Sequence, residues 1–361
     1  MNTLPASHPL LSGVTSASPL IRALRGDRPE RVPVWFMRQA GRSLPEYRSI
    51  RAHHRMLEAC VNPELASEIT LQPVRRHGVD AAIFFSDIVV PLMLAGVDVD
   101  LVSGRGPVFA TPLRTRAEID RHRATYSVER LRENLEPIRE AVRRTVDALG
   151  STPLIGFAGA PFTLAAYLVE GGPSRDHMRA RALMHADPEA WAALLDWVAE
   201  LSGAFLEAQV LAGASAVQLF DSWAGSLSPA DYREHVARAS RRTLAMIQGE
   251  DHPAVPTIHF AVGAGHLLEQ FASLRASAIG VDWRMPLDEA SQRLGDTTPL
   301  QGNLDPAYLS APPAVLEAHL RDVLRRGERA TGHVLNLGHG VPPDADPGVL
   351  TRIVELAHGE R

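Results

Sequence analysis

Two arginines four residues apart are the first residues in this chain that could do chemistry. They belong to the run Arg38-Gln39-Ala40-Gly41-Arg42. Each guanidinium can hold a carboxylate through two hydrogen bonds, and the glycine between them lets the backbone turn closely. The same spacing is common on ordinary helix surfaces. The run follows an apolar segment, and this position favours a binding site for carboxylates.

Other candidates stand where apolar runs end. Asp87 follows the run Ala81 to Ser86, and its ordinary roles there are a helix cap or a turn. If Asp87 points into an arginine-lined cleft, it is instead a single anion suited to N–H donors or to a developing cation. His339 follows the last run between two glycines, where an imidazole can reach a ligand.

Tyr167 and Ser222 are candidates with strong structural alternatives. Tyr167 lies in a helix predicted to begin at Pro161, where contact with the core is the commoner role of a tyrosine. Ser222 follows Asp221, but no Gly-x-Ser-x-Gly sequence surrounds it. A nucleophilic serine is therefore not expected.

The composition excludes several kinds of enzyme. All 37 basic residues are arginine and none is lysine, which excludes Schiff-base chemistry, pyridoxal-phosphate enzymes and lysine-bearing P-loops. Because Cys60 is the one cysteine, no disulfide framework or cysteine-based zinc cluster is possible, and a reducing cytoplasm is expected. The histidines lack the spacing of a metal site, so no metal is expected.

The arginines are unevenly distributed. Between Arg22 and Arg55, nine arginines stand against three acidic residues, a local charge of +6, and the remainder of the chain carries −11. A small anionic ligand fits this pattern better than nucleic acid, because the rest of the chain is acidic and only 6% of residues are aromatic.

The most apolar stretch, Ala81 to Val97, is interrupted and too short to span a bilayer, so no membrane role is expected.

Eight short β-branched or aromatic runs alternate with longer helical segments. The runs are Val34 to Met37, Ala81 to Ser86, Leu154 to Ala158, Ala216 to Phe220, Thr257 to Phe260, Ala278 to Val281, Leu300 to Gly302 and His333 to Leu337. The helical segments include Ser127 to Leu149, Pro188 to Ala212, Pro229 to Gln248 and Pro313 to Arg326. This α/β pattern predicts a closed (β/α)8 TIM barrel with its active site at the C-terminal ends of the strands. A doubly wound sheet is less suitable, because no Gly-x-Gly-x-x-Gly follows the first run. Residues 1–20 are expected to form a flexible N-terminal tail, and residues 21–361 a single catalytic barrel domain.

Six ordered motifs resemble those of the uroporphyrinogen decarboxylase family. They are Pro33 to Arg42 with Leu44-Pro45-Glu46-Tyr47, Phe85-Ser86-Asp87-Ile88, Gly156 to Gly172, Phe220 to Gly225, Gln301 to Pro306, and Asn336 to Gly340. The resemblance covers about residues 20 to 355. Ser43 stands where the family commonly has an aromatic residue, and the segment beginning at His259 lacks a lysine often found there. These departures concern the rim of the site.

The resemblance implies a cytoplasmic enzyme, usually a homodimer, of porphyrin and heme biosynthesis. Such an enzyme converts uroporphyrinogen III into coproporphyrinogen III by decarboxylating four acetate side chains, without cofactor or metal. The implied catalytic residues are Asp87, Arg38 and Tyr167. The implied substrate-binding residues are Arg38, Gln39, Ala40, Gly41, Arg42, Asp87, Tyr167, Ser222 and His339. The proton donor is left open between His339 and a water held by arginine.

Two other functions are compatible with parts of the pattern. Relatives with the same barrel are corrinoid or thiol methyltransferases that hold zinc through histidine and cysteine, but Cys60 lies far from any predicted strand end. A carrier that only binds porphyrinogens would need the arginines but not Asp87. Because both motifs are present, the carrier is the least favoured of the three.

Overall fold

Nine strands and a larger number of helices make up the computed structural model, which describes residues 3–102, 104–247 and 255–359. The strands are β1 (Ala82–Ile83), β2 (Val99–Val102), β3 (Gly106–Phe109), β4 (Leu154–Gly159), β5 (Ala216–Phe220), β6 (Thr257–Phe260), β7 (Ala278–Gly280), β8 (Leu300–Gln301) and β9 (His333–Val334). Seven of them form one sheet in the order β1-β4-β5-β6-β7-β8-β9, and β2 and β3 form a separate antiparallel pair.

Every neighbouring pair in the seven-stranded sheet is parallel. In the central pair, Ile155 of β4 lies opposite Ala216 of β5. All six residues of β4 are buried, as expected for a parallel sheet covered by helices on its outer face. Since the strands run in one direction, their C-terminal ends meet at one edge. The predicted α/β class is confirmed, and seven of the eight predicted runs contain a strand of this sheet.

The first predicted run, Val34 to Met37, differs from a regular strand. It forms a single parallel bridge between Val34 and Leu335. Side chains take three of its N–H groups: the N–H groups of Val34, Phe36 and Met37 donate to Asp80, Gln39 and Asn336, respectively. Side-chain oxygens accept these hydrogen bonds in place of the carbonyl groups of a neighbouring strand. The run therefore has an extended backbone conformation but lacks a full ladder of backbone hydrogen bonds. On its other side, the N–H of Asp80 donates to the carbonyl of Val34.

The helices lie between these strands. They are α1 (Pro19–Leu24), α2 (Pro45–Arg51), α3 (Met56–Val61), α4 (Pro63–His77), α5 (Val90–Leu94), α6 (Arg116–Thr125), α7 (Val128–Glu133), α8 (Glu136–Leu149), α9 (Pro161–Glu170), α10 (Met178–Ala186), α11 (Pro188–Leu211), α12 (Pro229–His235), α13 (Ala237–Ala245), α14 (Leu268–Ala272), α15 (Leu287–Arg293), α16 (Pro313–Gly327) and α17 (Pro347–Gly359). In the described residues, none of these helices combines the length and apolar character needed to cross a membrane.

Two predicted helices are each divided in the structure. The segment 127–149 breaks between α7 and α8, where Pro137 occupies the first turn of α8 and has no N–H to donate to a carbonyl group of α7. Asn134 ends α7, and its side-chain amide donates to the carbonyl of Arg130 at 2.9 Å. The segment 229–248 breaks at Val236, between α12 and α13. Its predicted last residue, Gln248, lies outside the described residues.

The N-terminal segment lies against the domain, in contrast to the flexible tail expected for residues 1–20. Leu4 and Leu10 are buried. His8 Nε2 lies 3.0 Å from the carbonyl oxygen of Val210, and the hydroxyl groups of Thr15 and Ser215 are 2.8 Å apart. The expectation needs correction from residue 3 onward, because these side chains gain burial and hydrogen bonds. Ser215 directly precedes β5, so this contact lies at the opposite end of the strands from Ser222.

Candidate active site

Arg38 lies at the turn that follows the first extended run. Its φ is 61°, a left-handed conformation that non-glycine residues adopt rarely. The turn is tight at Gly41, where a Cβ atom would lie 2.7 Å from the carbonyl oxygen of Arg38. The side chain of Arg38 extends over Gly340, where a Cβ atom would lie 2.5 Å from Cδ of Arg38. Arg38 is exposed, so its guanidinium is accessible to a ligand.

Gln39 holds this turn in place. Its Oε1 accepts a hydrogen bond from the N–H of Phe36 at 2.9 Å, and its Nε2 donates to the carbonyl of Ala81 at 3.0 Å. The residue is fully buried. The side chain therefore ties the Arg38 turn to the residue before β1, and the assignment of Gln39 as a substrate-binding residue stays a prediction.

Asp87 lies beyond the C-terminal end of β1 and is half-buried. Its Oδ1 accepts a hydrogen bond from the N–H of Val89 at 3.1 Å, so it does serve in a turn. Burial raises the pKa of Asp87 above its ordinary value, against the opposing effects of the Val89 N–H and the Arg38 charge. The carboxylate thus lies within the electrostatic reach of Arg38.

Tyr167 lies on α9, where the predicted strand, glycine turn and helix from Gly156 onward are observed. Its ring stacks on Trp223, with 3.8 Å between the centroids and 29° between the planes. Burial raises the pKa of Tyr167 to about 12, and the Asp87 carboxylate adds to this effect. Tyr167 is therefore protonated at neutral pH and can act as a hydrogen-bond donor. Ser222 is half-buried beside Trp223.

His339 lies after β9 and is half-buried. Its Nδ1 accepts a hydrogen bond from the N–H of Gly340 at 2.6 Å. Burial lowers the pKa of His339, and the positive charges of Arg38 and Arg284 lower it further. The imidazole is therefore neutral at neutral pH, and Nε2 is the nitrogen that carries the hydrogen.

Arg38 is the common neighbour of Asp87, Tyr167 and His339. Burial has the largest effect on the pKa of each of these three groups, and the charge of Arg38 lowers the pKa of all three. Four of the sequence-predicted residues are thereby brought together, although Arg38 and His339 are 301 positions apart in the chain. Arg42 is exposed.

Arg42, Ala40 and Gly41 lie at the periphery of this group. Burial raises the pKa of Tyr47, and the Arg42 charge acts in the opposite direction. The charge of Arg38, in contrast, acts on Asp87, Tyr167 and His339. Ala40 and Gly41 are half-buried. Arg42 therefore belongs to the rim of the site and Arg38 to its centre.

A replacement at Gly340 tests whether Arg38 must lie where it does. In Gly340→Ala, the new methyl group would overlap Cδ of Arg38, so we expect the arginine to shift and kcat/KM for the substrate to fall about tenfold or more. The midpoint of urea unfolding should change little. Gly359→Ala at the end of α17 is the matched control, since no neighbouring atom outside its own helix lies within 4 Å of its new Cβ. Equal kcat/KM values for both variants would contradict this role of Gly340.

A buried polar cluster behind Ser222 was not predicted from the sequence. The hydroxyl of Thr163 donates to Asp221 Oδ1 at 2.9 Å and accepts from the N–H of Trp223 at 3.2 Å. Tyr232 Oη lies 3.4 Å from both Asp221 Oδ2 and His259 Nε2. The cluster fixes the residues on both sides of Ser222. One signal of this cluster is present in the sequence, the carboxylate of Asp221 directly after the predicted strand Ala216 to Phe220.

The pKa values of Asp221 and His259 in this cluster are shifted so that both groups favour their neutral forms. Burial raises the pKa of Asp221 to about 7 and lowers the pKa of His259 to about 3. His259 Nε2 lies 3.7 Å from Asp221 Oδ2, but the imidazole is uncharged at neutral pH. The contact is therefore between a neutral imidazole and a carboxyl group that titrates in the physiological range.

The raised pKa of Asp221 predicts a pH-dependent stability difference. Between its ordinary pKa of 3.8 and the folded value of about 7, the folded state binds the extra proton, so this group's contribution to stability falls as pH rises. Asp221→Asn removes that loss. We expect the variant's free energy of unfolding, relative to the parent, to increase by about 3 kcal/mol from pH 5 to pH 8. Urea unfolding at both pH values measures this, with Asp98→Asn, the same substitution at an exposed position, as the control variant. If the free energy of unfolding of Asp221→Asn relative to the parent did not change between pH 5 and pH 8, the raised pKa of Asp221 would be contradicted.

A second group missed by the sequence prediction lies after β7. Asp282 is buried, accepts hydrogen bonds from the N–H of Gly263 and the backbone of Arg284, and pairs with the Arg284 guanidinium at 2.8 Å. The Arg284 guanidinium lies 3.9 Å above the ring of Trp283, and this ring is 6.4 Å from that of His339. Arg284 is therefore a further exposed cation beside the predicted residues.

Comparison with known proteins identifies the family. Residues 15–360 match the sequence model of the uroporphyrinogen decarboxylase (URO-D) family. The chain is 60% identical to uroporphyrinogen decarboxylase of Leifsonia xyli, over 100% of this chain and 99% of that protein. It is 62% identical to the enzyme of the same name from an Arthrobacter species, over 96% of this chain and 99% of the relative. Among solved structures, a methyltransferase from Methanosarcina mazei shares the fold, with a TM-score of 0.76 at 18% identity over 94% of this chain and 97% of that one. The chain belongs to the uroporphyrinogen decarboxylase family.

Proposed function

We propose that this protein converts uroporphyrinogen III into coproporphyrinogen III by removing CO2 from four acetate side chains, without a cofactor or metal. The observation that carries the proposal is the position of Asp87, a carboxylate at the C-terminal edge of the sheet within the electrostatic reach of Arg38. Family membership and high identity to relatives of that name support the same reaction.

The substrate supplies its own electron sink in this mechanism. Protonation of a pyrrole carbon makes a cationic ring, which accepts the electron pair of the breaking C–C bond as CO2 leaves. Protonation of the resulting methylene carbon gives the methyl group, and loss of the proton first added to the ring carbon restores the neutral pyrrole, so each CO2 released consumes one proton overall. Asp87 accepts hydrogen bonds from the pyrrole N–H groups and stabilises the cation. At an effective dielectric constant near 20, two charges about 4 Å apart interact by roughly 4 kcal/mol.

The arginines hold the substrate's carboxylates. Uroporphyrinogen carries eight of them, and a cluster of guanidinium groups can bind several at once. Arg38, beside Asp87, holds the acetate that reacts, whereas Arg42 at the rim holds a peripheral carboxylate. Tyr167 and Ser222 donate hydrogen bonds that position the substrate. Arg284 is a further candidate for a peripheral carboxylate, although its charge is partly balanced by Asp282.

His339 is better suited to binding than to proton donation. Its lowered pKa and the hydrogen bond from Gly340 to Nδ1 favour a neutral ring with one hydrogen, on Nε2. A neutral imidazole is a poor general acid, so we assign the Nε2–H group to a substrate carboxylate. This leaves a water molecule held by Arg38 as the favoured proton donor, since an arginine itself is too weak an acid.

The finer architecture belongs to the same proposal. We infer that the run Val34 to Met37 closes the seven-stranded sheet into an eight-stranded barrel. It bridges to Leu335 beyond β9 and bonds to Asp80 before β1, the two edges of the sheet.

We also propose a cytoplasmic homodimer built from barrel domains that begin near residue 21. Light scattering of the purified protein tests the dimer.

Anaerobic incubation with uroporphyrinogen III tests the function directly. After oxidation of the products, chromatography separates porphyrins by their number of carboxylates. We expect conversion from eight carboxylates to four, without added metal or cofactor and in the presence of a chelator. Binding without loss of carboxylates would favour the carrier, and activity that requires zinc and a methyl donor would favour the methyltransferase.

A further inference from the structure

Three side chains with metal-binding atoms converge on the outside of the helical layer. His185 lies near the end of α10, and Asp231 and His235 lie one helical turn apart on α12. One ligand atom from each lies within 4.8 Å of those of the other two. His185 Nε2 and Asp231 Oδ1 are 3.7 Å apart, and the two imidazole rings are 5.6 Å apart at an angle of 88°.

We propose that His185, Asp231 and His235 bind a zinc ion that links α10 to α12. Two imidazole nitrogens and one carboxylate oxygen form a donor set typical of three-ligand zinc sites, in which water takes the fourth position of a tetrahedron. Ligands about 2 Å from an ion lie roughly 3.3 Å from each other, so rotation of these side chains is enough to close the site. The i, i+4 spacing of Asp231 and His235 places both on one face of α12.

The surrounding charges favour a cation at this position. In the described residues the only ion-pair partner of Asp231 is His185, so no arginine neutralises this carboxylate. Glu234 Oε1 lies 4.0 Å from His235 Nε2 and adds a second negative charge. The side chains of Asp231 and His235 are 22% and 14% exposed, whereas that of His185 is 55% exposed, so the ion would be shielded on the side of α12 and open to water on the side of α10. The ligands lie on helices, apart from the strand ends, and the ion has no part in decarboxylation.

Because no metal site was expected from the sequence, this proposal rests on the juxtaposition of α10 and α12 alone. The histidines of the two helices are 50 positions apart in the chain, so no short sequence motif contains both. A zinc ion that joins the helices would stabilise the folded state by binding it in preference to the unfolded chain.

Calorimetric titration of the full-length, chelator-treated protein with zinc chloride at neutral pH tests the proposal. We expect one ion per chain and a rise in Tm on zinc addition. Asp231→Asn and His235→Gln should each weaken binding at least about tenfold, and the double variant His185→Gln/His235→Gln should remove both effects. Cobalt(II) should give the intense visible absorption of a tetrahedral site in the parent protein only.

His53→Gln is the matched control, because His53 is exposed and lies outside the three-residue group. It should bind zinc as the parent does. The proposal would be overturned by equal zinc affinity in the double variant and the parent, or by an equal loss in His53→Gln. Circular dichroism of each variant separates loss of the site from loss of the fold.

Discussion

Asp87→Asn protein should lose about a thousandfold in kcat while its KM for uroporphyrinogen changes little. The asparagine keeps the size of the side chain and an oxygen acceptor, but it removes the negative charge that would stabilise the pyrrole cation. An interaction of roughly 4 kcal/mol that exists only in the transition state corresponds to nearly a thousandfold in rate. Anaerobic steady-state kinetics measure both constants. Near-normal turnover would refute the role assigned to Asp87.

The pH dependence gives a second test of the same carboxylate. Because burial raises the pKa of Asp87, activity of the parent should begin to fall with decreasing pH earlier than an ordinary aspartate would allow. The residual activity of Asp87→Asn should lack this acidic decline. Asp98→Asn, an exposed aspartate, controls for removal of a carboxylate elsewhere and should behave as the parent protein.

Arg38→Met should produce the second largest effect, a decrease of about a hundredfold in kcat/KM. Methionine retains much of the arginine's apolar stem but has no charge and no N–H donors. Losing a charge-assisted, two-point hydrogen bond at the reacting acetate costs about 3 kcal/mol. The same change removes the charge that lowers the pKa of Asp87, so the acidic decline of kcat should move to higher pH.

Two further arginine variants make this experiment specific. Arg42→Met should raise KM with a smaller effect on kcat, about tenfold in kcat/KM, because Arg42 lies at the rim. Arg75→Met removes an exposed arginine that pairs with Glu68 on α4 and should leave the kinetics unchanged. If Arg38→Met and Arg42→Met had the same effect on kcat and the same pH profile, the central position of Arg38 would be contradicted.

The sequence by itself determined which chemistry was available and where along the chain it lay. Absence of lysine excluded Schiff-base enzymes, and polar residues after apolar runs marked one edge of a parallel sheet. Arg38, Asp87 and His339 could be selected in this way, because parallel strands must bring their C-terminal ends together whatever their order, whereas Tyr167 was selected only through the family resemblance. Family motifs then supplied their expected roles.

The tertiary structure alone decided how individual side chains are used. Gln39 belongs to the same motif as Arg38, yet its amide bonds to Phe36 and Ala81 and holds the turn. The stack of Tyr167 on Trp223 and the hydrogen bond of Thr163 to Asp221 each join residues more than 50 positions apart. Hydrogen bonds and burial depend on distances in space, and a linear pattern of residue types specifies the faces and ends of elements but not which side chains meet across them.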